Sequence, residues 1–293
     1  MPAGLDHIVH AVRNLDAGAD FYRRMGFTVG ARNTHSQAWG TQNHIVQLPG
    51  TFIELLAVND TNGIAPHTPH FFSFGAFNRD FLVRGEGLSM LALEGRGGAD
   101  ADAFRAAGIG DFDLYDFERE AKRPDGTAVK VAFTLAFARD EKTPEAGFFT
   151  CQQRYPENFW NEAFQIHGNT ARGVAGVVIV ANDPAAHRDF LCAFSGSAWE
   201  PRDDGFAFIT PRGEIGVTTP AGYFRQFGIA PPDVAEGARL AAMRFTVADL
   251  AAVRITLEAG RIPGKTAGGL IVVGPQTAMG AALAFETMAG PAG

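Results

Sequence analysis

Leu5-Asp6-His7-Ile8-Val9-His10-Ala11-Val12, and then Asn14-Leu15-Asp16-Ala17-Gly18-Ala19-Asp20-Phe21-Tyr22-Arg23-Arg24-Met25-Gly26, decide the fold of this chain. The first run is short with β-branched residues, which predicts a strand. The second places Leu15, Ala19, Phe21, Tyr22 and Met25 on a helical period, with Asn14 as N-cap and Gly26 as stop. Three strands are expected next, at Phe27 to Ala31, Gln42 to Leu48 and Thr51 to Val58, with Pro49-Gly50 as the turn between the last two. The unit reads βαβββ.

Working outward, the same order recurs. A strand at Leu88 to Glu94, a helix at Asp100 to Ala107 stopped by Gly108, and strands at Asp113 to Glu118, Val129 to Ala138 and Phe148 to Gln153 make a second unit. A third runs from Val174 to Ala181 through Asn182-Asp183-Pro184, an N-cap with proline in the first turn, into a helix at Ala185 to Phe194 and strands at Phe206 to Thr210 and Glu214 to Thr218. Ala241 to Val247, a helix at Asp249 to Ala259 stopped by Gly260, and strands at Leu270 to Val273 and Ala281 to Glu286 make a fourth. Units starting near residues 6, 88, 174 and 241 are too large for solenoid repeats and predict pieces of sheet. The polar and aromatic stretch Arg154 to Arg172 is the expected link, dividing the chain into halves at 1–160 and 173–293.

The whole-chain numbers agree with two domains. The sequence has 293 residues, 46% hydrophobic and 19% charged, with 35 glycines and 16 prolines marking many turns. A net charge of -7 without a basic stripe argues against nucleic acid. Cys151 and Cys192 have neither a CxxC nor a zinc spacing, so buried free thiols are expected. No apolar run approaches the roughly 18 to 20 residues of a membrane span, which predicts a cytoplasmic protein with no membrane partner. No Ser/His/Asp order or nucleophile elbow argues for a hydrolase. Gly260 to Thr266 resembles a phosphate loop only at first glance: Ala259 stands where its first glycine is needed, and the segment follows a helix. Asn59-Asp60-Thr61 fits a glycosylation sequon by chance.

His7 on the first strand, Trp39-Gly40-Thr41-Gln42-Asn43 entering the third and Phe52-Ile53-Glu54-Leu55-Leu56 on the fourth give the first unit an order that resembles the glyoxalase-like domain family of the vicinal oxygen chelate superfamily. The resemblance implies an α+β fold of four βαβββ modules, paired into two tandem incomplete barrels. It also implies a divalent metal ion, Fe, Mn, Ni or Zn, held by side chains of the first and fourth strands with positions open for two substrate oxygens. Carried over by position, His7 and Glu54 are the metal ligands. Glu54 among apolar neighbours is a costly place for an unpaired carboxylate, while a His7–Glu54 hydrogen bond without metal is the plainer alternative.

The second module departs from the pattern. Ser89 or Met90 falls at the His7 position, and Cys151 or Gln152 at the Glu54 position; Gln152 is the expected third ligand through its carbonyl, with a Cys151 thiolate as the other choice. Gly176 or Val177 and Ala242 or Met243 occupy the corresponding places further on, so the second half reads as metal-free, with Glu286 either at a fourth-strand carboxylate position or a strand-end surface carboxylate. Glu54 and His35 are the expected catalytic groups, His35 at the pocket rim with a neutral-range imidazole suited to proton transfer. Trp39, Thr41, Asn43 and Gln47 are expected to line the substrate pocket. His10 and His44 point away by strand alternation, His67 and His70 sit in a surface loop, and His167 fixes the link. The aromatic clusters at Phe71, Phe72, Phe74, Phe77 and Phe81 and at Phe148, Phe149, Tyr155, Phe159 and Trp160 are expected in the core, at a domain interface or in a pocket lid.

Together these readings predict a glyoxalase-like lyase, isomerase or ring-cleaving dioxygenase that polarises a small molecule with adjacent oxygens. From a different class comes a metal-independent binding protein that sequesters a small molecule, as bleomycin-resistance proteins do. The expected partner is the small molecule itself, and a homodimer is left open.

Overall fold

A computed structural model describes residues 2–122 and 126–287, so the outermost ends of the two expected halves, residue 1 and residues 288–293, lie outside the described residues. Its first sheet comprises β1 (Leu5–Ala11), β2 (Asn33–Thr34), β3 (Thr41–Leu48), β4 (Thr51–Val58), β5 (Gly87–Glu94), β6 (Tyr115–Lys122), β7 (Ala128–Ala138) and β8 (Gly147–Gln153). Their spatial order is β2-β3-β4-β1-β5-β8-β7-β6. Helices α1 (Leu15–Arg24), α2 (Phe74–Arg84) and α3 (Gly98–Ala106) belong to this half, and the short α4 (Pro156–Phe159) opens the link.

The second sheet repeats the plan. It contains β9 (Ala171–Val180), β10 (Trp199–Arg202), β11 (Gly205–Ile209), β12 (Glu214–Thr218), β13 (Arg239–Val247), β14 (Lys265–Ala267), β15 (Leu270–Val273) and β16 (Ala282–Thr287), in the order β10-β11-β12-β9-β13-β16-β15-β14. Its helices are α5 (Arg188–Ser195), α6 (Pro220–Phe227) and α7 (Leu250–Ala259). Modules pair one with two and three with four. In the first sheet β1 runs parallel to β4 and antiparallel to β5, and β5 runs parallel to β8, so each central strand is shared between two modules.

Local chemistry explains the elements that the sequence predicted. Asn14 accepts from the Ala17 amide at 3.0 Å and starts α1, and Gly26 ends it with φ +85, a backbone conformation that favours glycine. Other expectations need correction. Phe27 to Ala31 is not a strand: the second strand shrinks to Asn33–Thr34, and Gly30 donates one amide to the Ile45 carbonyl. The Ala185 to Phe194 helix splits into a 3-10 turn at Pro184–His187 and then α5. The Phe71 to Phe81 cluster contains α2, capped by Ser73, whose hydroxyl accepts from the Ala76 amide at 3.1 Å.

One apolar core runs through both halves. Phe27 lies 5.0 Å from Phe245 and 6.2 Å from Phe285, and Phe148 lies 4.9 Å from Phe190, ring to ring. Burying each such side chain contributes about 1.5–3 kcal/mol. His10, on the face of β1 opposite His7, ties the halves with polar bonds: Nδ1 meets the Tyr22 hydroxyl and Nε2 the Met279 carbonyl, both at 2.9 Å. Its pKa is lowered by burial, against a smaller upward pull from that carbonyl. The concave face of the first sheet carries a separate apolar layer that includes Val9, Leu56, Met90 and Phe149. That layer is the wall of a pocket. Among the described residues no helix is long and apolar enough to cross a membrane.

Candidate functional site

Strand alternation aims His7 on β1, Phe52 and Glu54 on β4, and Phe149 and Cys151 on β8 into the first sheet's concave face. Asn43 and Ile45 on β3, Phe133 and Leu135 on β7, and Phe117 and Arg119 on β6 line its sides. The cavity between these walls measures about 70 Å³ and opens to solvent.

His7 is held from three directions. Its ring stacks on Phe52 at 4.3 Å and meets the edge of Phe149 at 5.2 Å. Nδ1 lies 2.6 Å from Asp6 Oδ1, and the other Asp6 oxygen accepts from Gln153 Nε2 at 2.9 Å. A carboxylate can only accept, so His7 Nδ1 donates in this bond and Nε2 is the ring nitrogen that faces the pocket. There Nε2 is 3.9 Å from Glu54 Oε2, too far for a hydrogen bond. The plainer sequence alternative, a direct His7–Glu54 hydrogen bond, is therefore absent.

The other Glu54 oxygen belongs to a polar network. Asn43 Nδ2 donates to Glu54 Oε1 at 2.6 Å and lies 3.1 Å from His35 Nε2, while Asn33 Nδ2 donates to Asn43 Oδ1 at 3.1 Å. His35 Nδ1 meets the Thr41 hydroxyl at 2.7 Å. Burial lowers the His35 pKa, the Glu54 charge opposes that, and Arg119 adds to it. His35 is therefore a neutral, buried wall residue, packed edge-on against Trp39 at 5.0 Å, and not a rim residue.

The expected residues divide as follows. His7, Glu54, His35, Trp39 and Asn43 all meet in the pocket. Thr41 stands behind it and orients His35. Gln47 is outside: its amide donates to the Phe159 carbonyl at 2.7 Å and its carbonyl accepts from the Asn161 amide at 3.0 Å, which pins the link. Gln152 is also outside, because the pairing of Thr134 with Gln152 and of Leu135 with Cys151 turns Cys151 inward and Gln152 toward Gly97. Asp6, Asn33, Phe117, Arg119 and Phe133 escaped the sequence reading. Asp6 alone had a local signal, adjacency to His7, but a register shift between Leu5 and His7 is what lets both side chains reach one place.

The pocket donors fit a divalent ion in part. Two bonds of about 2.1 Å span at most about 4.2 Å, and the His7–Glu54 separation of 3.9 Å falls inside that limit. Cys151 forms a buried group with Asp6 and His7 whose ligand atoms lie within 4.8 Å of one another, a group that does not include Glu54, while His35 Nε2 lies 3.7 Å from Glu54 Oε1. Burial, then the charges of Asp6 and Glu54, raise the Cys151 thiol well above its ordinary pKa. Asp6, with both oxygens engaged, acts as the orienter of His7.

In the second half, Gly176 sits between Arg244 and Glu214 in the register, as His7 sits between Ala92 and Phe52 in the first. Arg244 contacts Glu286 at 3.2 Å and also pairs with Glu214, so an ion cluster fills this place. Burial raises the Glu286 pKa, Arg244 opposes the rise and Glu214 adds to it.

Comparison with known proteins agrees with this geometry. The family model described as a glyoxalase-like domain matches residues 5–193. No curated protein matches the chain. A solved structure of a hypothetical protein from Staphylococcus aureus superposes with a TM-score of 0.66 at 12% identity, covering 98% of this chain and 100% of that one. A variant of 4-hydroxymandelate synthase from Streptomyces coelicolor superposes with a TM-score of 0.52 at 12% identity, covering 91% of this chain and 78% of that one. At such identities these structures speak for the fold alone. The family match over more than half the sequence, on four modules in two curled sheets, establishes that the chain belongs to the glyoxalase-like domain family of the vicinal oxygen chelate superfamily.

Proposed function

We propose that the chain is a divalent-metal-dependent enzyme acting on a small molecule with adjacent oxygens. One observation carries this reading: His7 Nε2 and Glu54 Oε2, both buried, face each other at 3.9 Å, beyond hydrogen-bond reach and within the span of two metal–ligand bonds. An imidazole nitrogen and a carboxylate oxygen so placed suit a divalent cation between them. His7 and Glu54 would hold it, with Cys151 at hand and Asp6 fixing the imidazole. A bound ion would supply Lewis-acid polarisation of a substrate oxygen. The remaining work falls to the chain itself. Trp39, Phe52, Phe74, Phe117 and Phe149 form walls that exclude water and accept a ring, while Asn43 holds the second Glu54 oxygen in place.

Metal-independent binding is the second reading, and one feature favours it. The second module brings no histidine or carboxylate to the pocket from β5 or β8; what β8 offers there is Phe149 and the Cys151 thiol. Metal content separates the two. Purified protein incubated with Fe²⁺, Mn²⁺, Ni²⁺ or Zn²⁺ and then desalted is expected to retain about one ion per chain. The His7→Ala and Glu54→Ala proteins, checked for folding by circular dichroism, are expected to retain little. A wild type that keeps no stoichiometric metal would remove the enzyme reading and leave the binding one.

A further inference from the structure

Arg119 is a charge without an answer in the pocket. On β6 the side chains of Tyr115, Phe117 and Arg119 take the sheltered positions, whereas Asp116, Glu118 and Glu120 are exposed. Alternation therefore sets a guanidinium in line with an aromatic wall, opposite Val131 on β7. Its acidic neighbours are turned elsewhere: Glu118 pairs with Lys130 at 2.6 Å and Asp116 pairs with Arg154. Among the described residues no carboxylate lies within ion-pair distance of Arg119, and its recorded polar contact is a long 3.4 Å donation to the Glu120 carbonyl. Burial alone lowers its pKa, with no neighbouring charge to restore it. A half-buried guanidinium with no carboxylate beside it keeps donors free for an anion bound in the pocket.

The rest of the pocket restricts where an anion can go. Glu54 and the paired Asp6 make the His7 end unfavourable for a second negative group. One guanidinium in a chain of net charge -7 suits a monoanion, and its planar fork matches a carboxylate. The walls between the two ends are aromatic. We propose that Arg119 anchors a carboxylate of the ligand, so that the pocket takes a small aromatic acid with its adjacent oxygens toward His7 and Glu54. The orientation rests on the function proposed above; the anchor does not.

The test uses an isosteric pair, 3,4-dihydroxybenzoate and 3,4-dihydroxybenzamide, titrated by calorimetry into metal-loaded and chelator-treated protein. Wild type is expected to bind the acid about tenfold more tightly than the amide. In Arg119→Met that preference is expected to vanish, and Arg119→Lys is expected to keep part of it. The proposal is overturned when wild type shows no preference for the acid, when the acid does not bind, or when the preference survives in Arg119→Met. Chelation separates this from the metal reading. If that reading holds, removing metal weakens both probes and leaves their ratio; if it fails, chelation changes neither probe and the Arg119 ratio is still measured.

Discussion

Asp6 and His7 are consecutive on a strand, where ideal alternation would send their side chains to opposite faces. The register shift after Leu5 cancels that separation and creates the 2.6 Å carboxylate–imidazole bond. The bond fixes which nitrogen carries the proton, and so which lone pair looks at Glu54. Asp6→Asn keeps the shape and removes the charge, and an amide can also rotate to present its NH₂ to Nδ1, which reverses the tautomer. Metal affinity of Asp6→Asn, measured by competition with a chromophoric chelator, is expected to fall about 10–100-fold while thermal stability changes little. Unchanged affinity would show that Asp6 does not orient the ligand. His7 and Glu54 were legible in the sequence because strand position and an apolar context mark them. Asp6 was not, since a bulge has no composition of its own, and Arg119 was not, because its meaning lies in the absence of a partner that only packing reveals.

At the scale of elements, two helices were read correctly in kind and place, Asn14 beginning α1 and Asp249 beginning α7 with side chains that accept from nearby amides, whereas the capped Ala185 to Phe194 run opens as a 3-10 turn. Helix α2 was hidden because its aromatic residues dominate the pattern and its apolar face has no clean period. Yet α2 builds a pocket wall, since Phe74 stacks on Trp39 at 4.3 Å. That contact depends on a close approach of backbone to backbone. A Cβ placed on Gly75 would lie 2.1 Å from the Trp39 carbonyl oxygen and 2.9 Å from its carbonyl carbon, both backbone atoms that cannot turn aside. Gly75→Ala must therefore push α2 away from the Trp39 loop. It is expected to cost about 1–3 kcal/mol in urea denaturation and to alter tryptophan fluorescence in the native state. A variant with wild-type stability and emission would mean that the helix and the loop yield more easily than the contact implies.

Across the whole molecule, the repeat of four modules was visible in the order of strands, helices and turns, whereas the single core joining both halves was not. Nothing in a linear pattern says that Phe27 meets Phe245 or that Phe148 meets Phe190. Polar groups cross the same seam. Asp140, after β7, accepts from Thr143 at 2.6 Å and bonds His187 Nδ1 of the second half at 2.7 Å. Burial alone would raise the Asp140 pKa, but hydrogen bonds from His187, Thr143 and the Lys142 amide, with the His187 charge, outweigh it and hold the carboxyl below its ordinary 3.8. A depressed carboxyl stabilises the fold in its ionised form. That contribution is complete above the unfolded value of about 3.8 and disappears as pH falls through the lower folded value. Urea midpoints of wild type and Asp140→Asn, compared over an acid series, are expected to differ most above pH 3.8 and to converge below it. A gap that stays constant through that window would assign the loss to altered packing of the amide and not to the charge that Asp140 carries against His187.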